Sequence, residues 1–110
     1  MMALALSPAA ANLLRALIGR AGVSRDRVVL TDAKSVDWQS LTFVGERHHI
    51  ELRVPGPDST LIVERMCSRL EDAEFSIPGQ IVADIRVVGA PVREADGSTS
   101  LWIEALTISD

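Results

Sequence analysis

The feature that most constrains this chain is the alternation of apolar and polar residues from Arg47 to Val54. A period of two sends successive side chains to opposite faces, so the run predicts a strand with one buried face. A similar run covers residues 38–44, and Gly45-Glu46 between the two is typical of a type II′ hairpin turn. With that turn, Leu41 lies opposite Ile50, and the predicted buried face comprises Leu41, Phe43, His48, Ile50, Leu52 and Val54.

Helix signals flank this hairpin on both sides. The dipeptide Ser7-Pro8 supplies a hydroxyl cap and a first-turn proline, and apolar residues at helical spacing then predict a helix over residues 8–20. Asp58 or Ser59 starts a second predicted helix over residues 59–73. Its expected inward-facing residues are Ile62 or Val63, Met66, Cys67, Leu70 and Ala73.

Further strands are predicted over residues 27–33, 81–88 and 101–108. Asp96-Gly97 favours a type I′ turn between the last two. An uninterrupted register from that turn mixes charged and apolar residues on one face, so we expect one extra residue, a β-bulge, near residues 89–91. This register places Val87 opposite Ala105, Ile85 opposite Thr107, and Val82 on the outer face.

The element order α-β-β-β-α-β-β separates helices from hairpins and predicts an α+β fold. We expect a two-layer sandwich in which two helices cover one face of an antiparallel sheet of four to five strands. One domain over residues 1–110 is predicted, with residues 1–6 flexible. The topology resembles a permuted ferredoxin-like domain. It also resembles the small acidic chaperones of type III secretion, although those usually end in a helix and this chain is predicted to end in a strand.

Composition limits the classes of partner. The net charge is −4, so binding of nucleic acid by neutralising its phosphates is not expected. One cysteine excludes an intramolecular disulfide and a multi-cysteine metal site. No apolar run approaches the length of a membrane span, and residues 1–11 lack the basic start of a secretory signal. A cytoplasmic location is expected, with no cofactor and no metal.

Few residues have the pattern of a catalytic site. His48 and His49 are adjacent on a strand and point to opposite faces, so they cannot ligate one metal together. His48 is expected to be a half-buried histidine bonded to backbone. Cys67 is expected to be buried and structural, because no base lies near it in sequence. The polar candidates are Arg47, His49 and Glu51 on the outer face, and Asp84 and Glu104 on adjacent strands, with ion pairing of Glu104 to Arg86 or Arg53 favoured over a carboxylate pair.

The outer face of the sheet is the stronger candidate for function. Two tryptophans and several aliphatic residues would lie there among charged residues, and monomers rarely expose so large an apolar patch. A cation–π pair between Trp38 and Arg53 is also possible in this arrangement. The predicted interface, through which a homodimer forms, comprises Trp38, Arg53, Val82, Arg86, Trp102, Leu106 and Ile108.

Three functions are compatible with these features. The favoured one is a non-catalytic module that binds a second copy of itself. The second is a dedicated chaperone or regulatory partner of another protein, as the resemblance to the secretion chaperones implies. The third is a small-ligand binder or enzyme of the dimeric α+β-barrel kind, in which facing sheets enclose a pocket. The thin catalytic inventory disfavours an enzyme.

Overall fold

The computed structural model describes residues 6–109. Flexibility was predicted for residues 1–6, and residues 1–5 of that segment lie outside the described part. Two helices and five strands follow in chain order: α1 (Pro8–Ala21), β1 (Val29–Gln39), β2 (Val44–Val54), α2 (Ser59–Cys67), β3 (Gln80–Val87), β4 (Val92–Arg93) and β5 (Thr99–Ser109).

Helix α1 begins and ends as local chemistry dictates. The Ala10 N–H donates to the Ser7 hydroxyl at 3.1 Å, Pro8 occupies the first turn, and Gly22 ends the helix with φ of 71°. The apolar stripe of the helix is buried against the sheet. The prediction of a helix over residues 8–20 is confirmed, with one further residue at its end.

The five strands form one antiparallel sheet in the order β1-β2-β5-β3, and β4 also pairs with β5. Strands β2 and β5 occupy the centre, with Ile50 opposite Ile103. Both helices contribute to a core on one face of this sheet, which confirms the predicted two-layer α+β sandwich. The main core residues are Leu13, Leu17, Ile50, Leu52, Val54, Ile62, Met66, Leu101 and Ile103.

The first hairpin differs from the prediction in where it turns. Residues 27–33 and 38–44 were expected to be separate strands, yet residues 29–39 form the single strand β1. The turn lies at residues 40–43, where the Ser40 hydroxyl accepts from the Thr42 and Phe43 amides and the Ser40 N–H donates to the Phe43 carbonyl. Leu41 and Phe43 are therefore exposed at the tip, and their predicted burial is wrong.

Gly45 lies within β2 because two backbones approach closely there. A Cβ at this position would lie 1.9 Å from the carbonyl oxygen of Thr107 on β5. Glycine is the residue that tolerates such an approach. Gly45, which was predicted to form the hairpin turn, is thus part of the contact between the two central strands. The rest of β2 keeps the predicted faces, since its alternate residues His48, Ile50, Leu52 and Val54 are all buried.

The edge of the sheet formed by β3 and β4 carries two irregularities. Between Val82 and Asp84 the pairing with β5 shifts by one residue, so Val82 packs against the core and its predicted position on the outer face is wrong. Near residues 89–91 an irregularity is present as expected, but it separates β3 from β4. The register beyond it also differs from the prediction, with Val87 opposite Ile103 and Ile85 opposite Ala105.

The second helix is shorter than predicted. Helix α2 ends at Cys67, Arg69 adopts a left-handed conformation with φ of 52°, and a 3₁₀ turn follows at Leu70–Asp72. The inward residues Ile62, Val63, Met66 and Leu70 are buried as predicted. Within residues 6–109, no helix has both the length and the apolar character that a membrane crossing requires.

Candidate functional site

The outer face of the sheet combines side chains from its two central strands. Directly opposite pairs share a face of an antiparallel sheet. The pairing of β2 with β5 therefore sets Glu51 beside Trp102, His49 beside Glu104, and Arg47 beside Leu106. The predicted polar residues Arg47, His49 and Glu51 do share this face, as expected from their spacing on one strand.

Trp102 is held in place by Glu51. The indole N–H donates to Glu51 Oε1 at 2.6 Å, and the Thr31 hydroxyl donates to Glu51 Oε2 at 2.6 Å. These two hydrogen bonds, the one from Thr31 being the larger influence, lower the pKa of the Glu51 carboxyl below its ordinary value. Trp102 as a residue keeps 36% of its surface exposed. Trp102 is therefore a fixed, partly exposed aromatic platform.

Glu104 bridges His49 and Arg86, which lie on the two neighbouring strands. One of its carboxylate oxygens accepts from Arg86, and the other lies 3.1 Å from His49 Nδ1. Glu104 thus forms the ion pair with Arg86 that its spacing favoured, and Asp84 instead lies opposite Leu106. His49 and Glu51 have different partners on β5, since His49 lies opposite Glu104 and Glu51 lies opposite Trp102.

A shallow depression lies between these two clusters. It has a volume of about 170 Å³, and its walls include His49, Glu51, Trp102 and Glu104. Pockets for drug-sized ligands usually measure about 300–1,000 Å³. In the isolated chain the depression has room for a small group only, such as one side chain of a partner.

The apolar part of the outer face is smaller than the sequence suggested. Leu106 is only 9% exposed, and Ile108 and Trp38 are half-buried. Trp38 lies opposite Gly45, whereas Arg53 lies opposite Val29 near the other end of the same strand pair. The expected cation–π contact between Trp38 and Arg53 is therefore wrong. Ile81, opposite Ile108, also lies on this face and is 51% exposed.

His48 points to the opposite face and is fully buried. Its Nδ1 lies 2.7 Å from the Ser35 hydroxyl and its Nε2 lies 2.8 Å from the Thr107 hydroxyl. Burial lowers the pKa of the imidazole below 6.5, against an opposing influence from Glu46. The expectation of a half-buried ring bonded to backbone is wrong. Both ring nitrogens are thus engaged by hydroxyls within the sheet, and the side chain has no exposed surface.

Cys67 is half-buried and packs against the core. Burial raises the pKa of its thiol above 9.0, with Arg20 opposing the effect. The reactive form of cysteine is the thiolate, so this thiol is a weak nucleophile at neutral pH. Within the described residues, no group of three or more histidine, cysteine, aspartate or glutamate side chains is placed to hold a metal ion.

The sequence-based search missed Thr31, Ser35 and Thr107. Each carries a hydroxyl that hydrogen-bonds to Glu51 or His48 from a neighbouring strand. Their partners become apparent only when β1, β2 and β5 are aligned, since no motif in the sequence joins them. In comparisons with known proteins, no family model matches the chain, and no curated protein matches it.

Proposed function

We propose that this chain is a non-catalytic interaction module that associates with a second copy of itself through the outer face of its sheet. The observation that carries the proposal is Trp102, which is pinned by Glu51 and still 36% exposed at the centre of that face. Tryptophan and arginine dominate the binding energy of many protein interfaces when their positions are fixed in advance.

The charges around Trp102 suit a two-fold contact. Arg86, Glu104 and Glu51 surround the aromatic platform with both signs of charge. In a two-fold dimer the same surface meets itself, so arginine from one copy can approach glutamate of the other. A standard interface buries about 800 Å² per partner. Burial of apolar surface contributes about 25 cal/mol per Å² to the free energy of association.

The test is the oligomeric state of the Trp102→Glu variant. We expect the wild-type chain to associate at micromolar concentration, by light scattering after size-exclusion chromatography. Trp102→Glu should have a lower oligomeric state than the wild type at the same concentration, because it places a carboxylate beside Glu51 at the centre of the contact. Leu61→Glu is the matched control, since Leu61 is an exposed apolar residue on α2 and should not affect association. A wild-type monomer at high concentration would contradict the proposal.

The depression beside Trp102 favours a second candidate, the small-ligand binder. If two outer faces meet, two depressions of about 170 Å³ join into one enclosed space lined by His49 and Glu104. Mass spectrometry of the protein under native conditions checks this. A small molecule that co-purifies with the wild type, and is lost in Glu104→Gln, would favour the ligand binder over the simple module.

A further inference from the structure

Strand β1 is a free edge of the sheet. It stands at one end of the order β1-β2-β5-β3 and packs chiefly against β2. Among residues 6–109 no strand pairs with its other side. An edge of this kind presents a row of unpaired N–H and C=O groups to any extended chain. With eleven residues, β1 is also long for an edge strand.

The turn shows which residues of β1 point their backbone groups outward. The Ser40 N–H donates to the Phe43 carbonyl, so these two residues form a hydrogen-bonded pair. Such pairs alternate with non-hydrogen-bonded pairs along an antiparallel ladder. From the register of β1 with β2, residues 32, 34, 36 and 38 bond to β2, and residues 33, 35, 37 and 39 turn their backbone groups to the free edge.

The opposite edge is less suited to strand addition. Its pairing with β5 shifts between Val82 and Asp84, and the edge is interrupted between β3 and β4, where Pro91 has no N–H to donate. Strand β1 has one irregularity, between Leu30 and Asp32, and is regular from Asp32 to Gln39. The regular edge of this sheet is therefore on β1.

We propose that a second copy of this chain adds to the β1 edge, antiparallel, with Val36 opposite the partner's Val36. A two-fold axis perpendicular to the sheet passes between these residues, so that both outer faces stay on the same side. The inference does not rest on the proposed outer-face contact, because it uses the backbone edge of β1 and not Trp102.

The charged residues of β1 select this register. A ladder centred on Lys34 would place the lysines of the two copies directly opposite each other, and one centred on Asp37 would do the same with aspartates. Like charges in direct opposition are destabilising. Centres at Ala33 or Trp38 leave only short overlaps within the regular part of the strand.

The two remaining centres differ in what they pair. A ladder centred on Ser35 uses three of the four outward-facing residues and places Asp32 opposite the partner's Trp38. The ladder centred on Val36 uses all four and places Lys34, the one lysine in the chain, opposite the partner's Trp38. An ammonium group over an indole is a favourable contact, and it occurs twice across the axis.

Exposed apolar residues lie along the same edge. Val36 is 47% exposed at the proposed axis, and Leu41 is fully exposed at the tip of the hairpin. In the Val36-centred ladder the tip of each copy reaches the level of the partner's Thr31, next to the partner's Val29. Val29 is itself exposed at the start of β1. Pairing thus covers apolar side chains at both ends of the ladder as well as at its centre.

Cysteine cross-linking tests the register directly. Val36 bonds to β2 through its backbone, so the proposed pair is non-hydrogen-bonded, with a Cα–Cα distance of about 4.5 Å. That distance permits a disulfide. In a Cys67→Ser background, Val36→Cys should give covalent dimers under mild oxidation at micromolar concentration, at least tenfold faster than Val92→Cys. Val92 is the matched control because it is similarly exposed, at 45%, on the other edge.

Two outcomes of this experiment would overturn the inference. One is cross-linking of Val36→Cys no faster than that of Val92→Cys. The other is preferential cross-linking of Lys34→Cys, which would indicate the Lys34-centred register. Adding Trp102→Glu to Val36→Cys should leave the cross-linking rate unchanged. Loss of cross-linking in that double variant would show that the outer face, and not the β1 edge, holds the copies together.

A substitution without cysteine completes the test. Val36→Lys places two ammonium groups opposite each other at the axis and should raise the dissociation constant of the edge dimer at least tenfold. Leu61→Lys, on α2, should leave it unchanged. Both positions are exposed, so circular dichroism should show folded protein in each case. Equal dissociation constants for the two variants would overturn the inference.

Discussion

At the scale of single residues, the buried His48 imidazole makes stability depend on pH. Its folded-state pKa is lowered below 6.5 by burial, so the folded protein binds this proton less readily than the unfolded chain. Stability from the neutral ring is complete above pH 6.5. It is lost as the pH falls below 6.5, and the loss levels off once the pH is below the folded-state pKa.

We therefore expect the wild-type free energy of unfolding to fall between pH 7 and pH 5, by at most about 1.4 kcal/mol per pH unit from this group. Urea titrations at several pH values measure it. His48→Gln keeps a donor and an acceptor for Ser35 and Thr107 but cannot be protonated, so its slope should be smaller. Equal slopes in wild type and His48→Gln would contradict the prediction.

Gly45 and Gly19 predict opposite effects of adding one methyl group. Gly45→Ala would bring a Cβ to 1.9 Å from a backbone oxygen of β5, so it should destabilise the fold by about 1–3 kcal/mol or more. Gly19 lies in α1, and an added Cβ would meet nothing within 4 Å beyond its chain neighbours and the backbone of its own helix, so Gly19→Ala should stabilise by about 0.4–1 kcal/mol. Thermal unfolding of both variants checks the pair, and a neutral Gly45→Ala would show that β2 and β5 are farther apart there.

At the scale of elements, the sequence is informative where an element depends on its own residues. The cap, proline and apolar stripe of α1 are all local, and the helix was predicted to within one residue. The turn of the first hairpin was not predicted correctly. Its glycine is required by contact with β5, which lies about sixty residues away, and the turn itself relies on the Ser40 hydroxyl. Glycine has several structural uses, and the pattern alone does not distinguish them.

The corrected hairpin predicts different costs for two aliphatic truncations. Ile50 is buried in the core and opposite Ile103, so Ile50→Ala should cost about 2–5 kcal/mol by leaving a cavity. Leu41 is fully exposed at the tip, so Leu41→Ala should cost little. Chemical denaturation of the two variants makes the comparison. Similar losses in both would favour the hairpin register that the sequence suggested over the one described here.

The candidate site lies between these two cases. The polar residues of β2 were found because they share one strand, and alternation identifies their face. Their partners Trp102 and Glu104 are on β5, and the strand pairing that joins them has no local signal. Predicting the site therefore needed the order of the strands, which hydrophobic patterning does not determine.

At the scale of the whole molecule, patterning predicted the layers but not the arrangement within the sheet. The number of helices, the single apolar face of β2 and the two-layer packing follow from residue periodicity. The placement of β5 between β2 and β3 does not, because neighbouring strands in the sheet are often, but not always, neighbours in the chain.

That placement has a consequence for how the chain reaches its native state. Strand β2 finds its central neighbour only after a connection of more than forty residues, since Val54 pairs with Thr99. Bringing such distant segments together costs loop-closure entropy before any packing compensates it. A nascent chain that has emerged only as far as β3 has a hairpin and two helices but no strand to join them. The native sheet can form only after residues 99–109 have been synthesised. Until then, other parts of the chain must cover the apolar side of β2 transiently.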